Sequence, residues 1–388
     1  MRIHPDGLGF TLLLGALAGL PALSIDMSLP ALPEIRSALG ADAAAATATL
    51  SMFLLGFGTA QLVIGPVSDR IGRRPVLTVA LLLYVIGGLA SGFAPSIATL
   101  LAARCLQGAG AAGGTVLAFA IIRDLFEADA ARARLSTVSL VFSLAPVIAP
   151  TLGGAVLMAL GWRGIFIFQL LTGVALAVVA LLGLPETRRD LPPPPFLAIL
   201  GERRTIAFGI VGALNLGNVF CVVAGAPMLL LGPNGVSTPV FGAVFALITA
   251  GVLAGAWINR AAVHFRWSAV WPMGIGLGGA ALGALGGLLA GGARLASIAM
   301  LVPIFLLATL SRGLVSPNVT HAALERIPAM AGAGSALIGA MQMLTGACAG
   351  VVVGIMFDRY GPDGLMMTMA GFAVPAFLAW VYVERNYR

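Results

Sequence analysis

The chain alternates long apolar runs with short breaks that carry charge, proline or glycine. Windows of about 20 apolar residues are long enough to cross a bilayer as helices. Twelve are predicted: 8–33, 46–68, 75–94, 97–122, 134–158 and 164–184, then 205–231, 238–259, 268–290, 295–316, 332–356 and 364–383. The longest polar stretch, Pro185 to Arg204, separates the sixth from the seventh and contains Glu186, Arg188, Arg189, Asp190, the run Pro192–Pro195, Glu202 and Arg203. The pattern predicts an all-α membrane protein with twelve transmembrane helices in two six-helix pseudo-symmetric halves. Residues 1–184 form the first half, 185–204 a cytoplasmic linker and 205–388 the second half.

Composition agrees with this reading. The chain is 59% hydrophobic and 10% charged, where soluble domains carry about 25% charged residues. The net charge of +7 does not point to nucleic acid, because the basic residues fall in short clusters between apolar runs rather than along one face. All 22 of them are arginine. With both termini cytoplasmic, the inside loops hold Arg2, Arg70, Arg73, Arg74, Arg123, Arg132, Arg134, Arg188, Arg189, Arg203, Arg204, Arg260, Arg266, Arg326, Arg385 and Arg388. The outside loops hold only Arg36, Arg163, Arg294 and Arg359. The positive-inside rule selects that orientation. Residues 1–22 resemble a signal peptide, but the apolar run continues past Ala18, so an uncleaved first helix is expected.

The halves resemble each other. Gly65-x-x-x-Asp69-Arg70 follows the second segment and Gly255-x-x-x-Asn259-Arg260 follows the eighth. Repeats of this kind imply substrate binding near the midplane and a rocking mechanism.

Asp26 and Arg104 stand out as charges deep inside apolar segments. A charge near the bilayer centre costs roughly 2.5–3.5 kcal/mol, so each calls for a partner, a wet cavity or a function. Asp26 precedes the outer end of its segment by about seven residues and Arg104 follows the outer start of its own by about seven, which places both about 10 Å deep. At that common depth the two can face one another, and the sequence leaves open whether they touch. Burial favours the neutral acid and a nearby guanidinium favours the carboxylate, so protonation would follow how closely the pair is held.

Four motifs carry a family resemblance. The loop Gly65-Pro66-Val67-Ser68-Asp69-Arg70-Ile71-Gly72-Arg73-Arg74-Pro75 resembles the cytoplasmic signature of the major facilitator superfamily. Arg104-Cys105-Leu106-Gln107-Gly108-Ala109-Gly110 resembles that family's buried-arginine motif, linked there to proton transfer. Ala145-Pro146-Val147-Ile148-Ala149-Pro150-Thr151-Leu152-Gly153-Gly154 is similar to its antiporter motif, with Ala145 and Ala149 where glycine is usual. Ser24-Ile25-Asp26-Met27-Ser28-Leu29-Pro30-Ala31-Leu32-Pro33 resembles the bicyclomycin-resistance (Bcr/CflA) branch of drug:proton antiporters, and Trp162-Arg163-Gly164-Ile165-Phe166 fits it too. The resemblance implies a multi-pass transporter of the bacterial inner membrane, active as a monomer. It would export small amphipathic compounds in exchange for protons by alternating access, with the proton as coupling ion and no cofactor. Export of a natural metabolite, such as a sugar or amino-acid derivative, is the alternative, and a non-transporting sensor or scaffold a more distant one.

Roles follow for individual residues. Asp26 and Arg104 are the proton-coupling pair. Gly65, Asp69, Arg70, Gly72, Arg73, Arg74 and Asp124 form a conformational latch: Gly65 permits close helix approach, Gly72 a tight turn, Asp69 meets the helix N-terminus near Gly332, and one of the arginines pairs with Asp124. Pro146, Pro150, Gly153 and Gly154 give a kinked, closely packed antiporter-type helix. Gln107, Asn215, Asn218 and Gln342 are candidates for the substrate cavity, with Phe53, Phe57, Phe142, Trp257 and Phe220 as aromatic wall. Cys105, Cys221 and Cys348 lie in apolar runs as packing residues. The three histidines, His4, His264 and His321, lack metal-ligand spacing, so neither a metal centre nor an enzyme is expected.

Overall fold

The computed structural model describes residues 4–187, 196–232, 234–291, 297–327 and 330–387. Arg2, Arg188, Arg189, Asp190, the Pro192–Pro195 run, Arg294 and Arg388 lie outside the described residues, and so does most of the expected linker.

The helices are α1 (Leu8–Asp26), α2 (Leu32–Ala38), α3 (Ala43–Ile71), α4 (Arg73–Gly92), α5 (Ile97–Leu125), α6 (Ala128–Gly183), α7 (Arg203–Leu230), α8 (Thr238–His264), α9 (Val270–Ala290), α10 (Ile298–Leu324), α11 (Ala331–Tyr360) and α12 (Pro362–Asn386). These differ from the twelve predicted segments in two places. The first segment is split into α1 and α2, and the fifth and sixth are merged into α6. At 56 residues, α6 would run about 84 Å, far longer than a bilayer core of about 30 Å. Gly161 resolves this, because its φ of 69° and ψ of −178° interrupt the helical backbone. Counted through that break, the described helices make the twelve crossings that the apolar pattern predicts.

The break after α1 has a covalent cause. Proline has no amide hydrogen, so Pro30 cannot donate to the carbonyl of Asp26, nor Pro33 to that of Leu29. The chain tightens instead: Ser28 N–H donates to Ile25 O at 3.1 Å and Ala31 N–H to Ser28 O at 3.1 Å. A single turn of 3₁₀ helix, Leu29–Ala31, leads into α2.

The chain divides into two compact units. The first comprises Met1–Ala31 and Met52–Pro194, the second Leu32–Ser51 and Pro195–Arg388. In the first, α1 packs on α5 and α6, and α4 packs on the same two helices. In the second, α7 packs on α10 and α11, and α9 packs on α10 and α12. The same contact scheme thus appears in both, which is what an internal repeat produces.

The start of α3, as far as Ser51, belongs to the second unit. Asp42 Oδ1 accepts from Ala45 N–H at 2.7 Å, and Asp358, near the end of α11, accepts from Ala44 N–H at 2.9 Å. A Cβ on Gly354 would run into Thr47 and Ala44, and one on Gly350 into Ser51, so these positions let α11 lie against the start of α3.

Large apolar side chains such as Leu289 (87%) and Leu282 (72%) are turned outward, as a surface facing lipid tails requires. Trp257 (76%) and Phe142 (38%) are also exposed.

Candidate functional site

Asp26 is the last residue of α1 and is 7% exposed. Among the described residues no ion pair joins it to Arg104, which answers the question the sequence left open. Arg104 is fully buried and is held by other acceptors. Its Nη1 donates to Gln107 Oε1 at 2.6 Å and to Gln169 Oε1 at 3.5 Å, and its Nη2 donates to the backbone carbonyl of Ser24 at 3.1 Å. Gln107 Nε2 donates to Gln169 Oε1 at 3.1 Å, and Gln169 Nε2 donates to the same Ser24 carbonyl at 3.2 Å. The Phe53 and Phe166 rings lie 4.5 Å and 5.5 Å from the guanidinium carbon.

Helix geometry explains this choice of partner. In an unbroken helix the Ser24 carbonyl would accept from Ser28 N–H, which here turns back to Ile25. Arg104 and Gln169 supply the donors that the broken helix has lost. The Ser24 hydroxyl bonds Leu20 O at 2.7 Å and the buried Tyr84 hydroxyl at 2.7 Å, so α1, α4, α5 and α6 meet at one buried polar node. Arg104 therefore acts on Asp26 through the backbone two residues away. Gly153 adds to the site: a Cβ there would collide with the Met27 carbonyl, so the antiporter-type helix rests directly on the break, with Gly154 buried beside it. Pro146 and Pro150 lie in the same helix, α6.

In the predicted latch, Arg73 is the centre. It pairs with Asp69 at 2.5 Å and with Asp124 at 2.8 Å, and donates to Ser68 Oγ at 2.6 Å. Glu186 accepts from the amides of Arg73 and Arg74 at 2.8 and 3.2 Å, which places an anion at the N-terminus of α4. Arg74 reaches the Leu181 carbonyl at 2.5 Å, and Arg70 is exposed. Gly72 has φ 110°, the region that glycine adopts without strain. At Gly65, expected to permit close helix approach, nothing among the described residues lies within 4 Å of a Cβ built there. Because Asp69, Arg73 and Asp124 all belong to the first unit, their ion pairs stabilise that unit and do not by themselves bridge two units. In the repeat, Asn318 Nδ2 donates to Asn259 Oδ1 at 2.6 Å, an uncharged counterpart of the network.

The second unit holds another polar cluster. Asn215 Nδ2 donates to Ser311 Oγ at 2.8 Å, and Arg312 Nη2 donates to Gln342 Oε1 at 3.0 Å. Asn215 and Asn218 are 1% and 0% exposed. Gln107, expected in the cavity, belongs instead to the Arg104 node.

Sequence reasoning missed Arg312, Ser24 and Tyr84. Arg312 could have been found as a charge inside the tenth segment, although the apolar average around it conceals it. Hydroxyls are nearly silent on hydropathy scales, so Tyr84 gave no signal and Ser24 entered only as the first residue of the quoted motif. A third copy of the loop spacing was also missed: Gly354-x-x-x-Asp358-Arg359-x-Gly361 repeats Gly65-x-x-x-Asp69-Arg70-x-Gly72, and its aspartate is the one that caps α3.

Residues 14–350 match the Major Facilitator Superfamily. An uncharacterised MFS-type transporter, YdgK, of Bacillus subtilis is 30% identical over 95% of this chain and 94% of its own length. A bicyclomycin resistance protein homologue of Haemophilus influenzae is 28% identical over 98% and 97%. A chloramphenicol resistance protein of Pseudomonas aeruginosa is 33% identical over 68% and 65%. Among solved structures, a bacterial homologue of the human lysosomal transporter Spinster, inward-facing and occupied, superposes with a TM-score of 0.77 at 18% identity, covering 99% of this chain and 98% of that one. A D-xylose–proton symporter superposes with a TM-score of 0.73 at 18% identity, covering 97% of each. The chain belongs to the Major Facilitator Superfamily.

Proposed function

We propose that this transporter exports drugs or other small amphipathic compounds from the cytoplasm in exchange for protons, by alternating access across the bacterial inner membrane, as a monomer with both termini cytoplasmic. Relatives named for bicyclomycin and chloramphenicol resistance support the substrate class. The observation that carries proton coupling is Asp26, a buried carboxylate at a broken helix end with no ion pair to Arg104. Such a group is costly as an anion in the membrane and inexpensive once protonated, so it suits the carriage of a proton between two faces. Arg104 is a positioning residue. It fixes the end of α1 through the Ser24 carbonyl and so fixes where the carboxylate sits.

Protonation from outside would favour return to the inward-open state, and substrate arriving from the cytoplasm would favour proton release. Purified protein in proteoliposomes tests this. Chloramphenicol should release protons from wild type and none from Asp26→Asn, which should still insert at normal level. Gradient-driven export by Asp26→Asn at the wild-type rate would remove the role.

A further inference from the structure

The buried cluster on α7, α10 and α11 is chemically incomplete. Asn215 Oδ1, both amide atoms of Asn218 and Arg312 Nη1 are shielded from solvent and make no hydrogen bond among the described residues. Native interiors rarely leave such atoms unpaired, and elsewhere the buried unpaired atoms are mostly single and scattered, as at Ser91 and Trp380. An asparagine serving only to join two helices would have at least one end of its amide engaged. Asn218 has neither.

The elements bring these groups together. Asn215 and Asn218 lie three residues apart on one face of α7, and a Cβ on Gly212, one turn earlier, would meet Gln342 Nε2 at 2.9 Å. Asn215 bonds Ser311, the residue before Arg312, and Arg312 in turn bonds Gln342. These bonds link α7, α10 and α11, and with Asn218 about one turn further along α7 the group holds two unused donors and two unused acceptors.

Charge narrows the ligand. Arg312 lies in the middle of α10, about 21 Å from Ile298 at the helical rise. The acids on α7 to α12 sit at helix ends instead: Glu202 and Glu325 as caps, Asp358 and Glu384 in last turns, Asp363 in a first turn. The interior of these six helices therefore carries a cation without an acid beside it on the same helices.

We propose that Asn215, Asn218, Arg312 and Gln342 form a substrate subsite for an oxygen acceptor, whether carbonyl, nitro or carboxylate. The acceptor takes the free Arg312 and Asn218 donors, while the asparagine oxygens receive a hydroxyl or amide hydrogen from the same molecule. The transporter accordingly selects neutral or anionic oxygen-bearing amphiphiles over lipophilic cations. This selectivity rests on the efflux reading above.

Equilibrium binding to the purified full-length protein tests it without a proton gradient. The probes are chloramphenicol, its hemisuccinate ester and tetraphenylphosphonium. The two oxygen-bearing probes should bind at least about ten-fold more tightly than the phosphonium. Asn218→Leu and Arg312→Gln should each weaken them about ten-fold, a difference of about 1.4 kcal/mol, with an unchanged melting temperature. Arg312→Lys should retain part of the affinity, and it carries the test together with Asn218→Leu if Arg312→Gln does not fold. Preference for the phosphonium, failure to bind either oxygen-bearing probe, or wild-type affinity in folded variants would overturn the subsite. Binding with these preferences but without proton-driven export would count against the efflux reading alone.

Discussion

Arg104 Nη2 donates to the backbone carbonyl of Ser24 at 3.1 Å, so the buried guanidinium of α5 holds the end of α1 and does not reach the carboxylate two residues further on. If Asp26 carries the proton as proposed above, proton chemistry and helix position rest on separate groups, and the two are separable by mutation. Arg104→Ala should orphan Gln107 Oε1, at about 1–3 kcal/mol, and leave the Ser24 carbonyl and Gln169 Oε1 with one donor each, from Gln169 and Gln107. Thermal unfolding should show that loss, and efflux should vanish. Arg104→Lys delivers a point charge where a planar fork is used, so it should recover stability more than transport.

Glycine positions on two helices give a paired expectation. Gly153→Ala should destabilise the protein and lower efflux, because its methyl group meets the Met27 carbonyl. Gly65→Ala, with open space around it, should be neutral or stabilising by about 0.5–1 kcal/mol through helix propensity. Equal damage by both would disprove the packing assigned to each.

The Arg73 network should behave as a buried ion cluster rather than as surface charge. Arg73 and Asp124 side chains are 10% and 9% exposed. Removing one partner of a buried pair leaves the other uncompensated and costs about 3–5 kcal/mol. Asp124→Ala should approach that loss, whereas Arg70→Ala, at an exposed position, should change the melting temperature little. A double-mutant cycle of Arg73 and Asp124 measures the coupling.

At the start of α3, Asp358→Ala should remove a cap supplied by another helix and cost about 1 kcal/mol. Hydrogen exchange at the Ala44 amide, bonded to Asp358 at 2.9 Å, should accelerate, while the Ala45 amide keeps its Asp42 partner. Unchanged protection at Ala44 would refute the cap.

Much of this arrangement was legible in the residues. Apolar windows located the crossings because lipid leaves a helix little alternative, and Asp26 and Arg104 stood out because charge inside such windows is rare. One of Arg70, Arg73 and Arg74 was expected to meet Asp124, since their loop and helix end fall on the same side, but which one was not legible. The partner of Arg104 was not legible, because it is a backbone atom freed only by the fold. Pro30 nevertheless stood in the quoted motif, and counting four residues back from it leads to Asp26. Packing around Gly65 depends on which face of each helix turns inward. Alternation is weak in helices buried on several sides, so composition did not fix those faces.

Pro30 also constrains what the transport cycle can change. Most helix distortions are conformational and can heal when a neighbour moves. This one is written into a ring nitrogen with no hydrogen, so the Asp26 carbonyl lacks its helical donor whichever way the protein faces. The carboxylate therefore stays at a helix terminus throughout the cycle. What can vary is the company it keeps: in the proton-coupled cycle proposed above, a proton taken up on one side of the membrane and given up on the other.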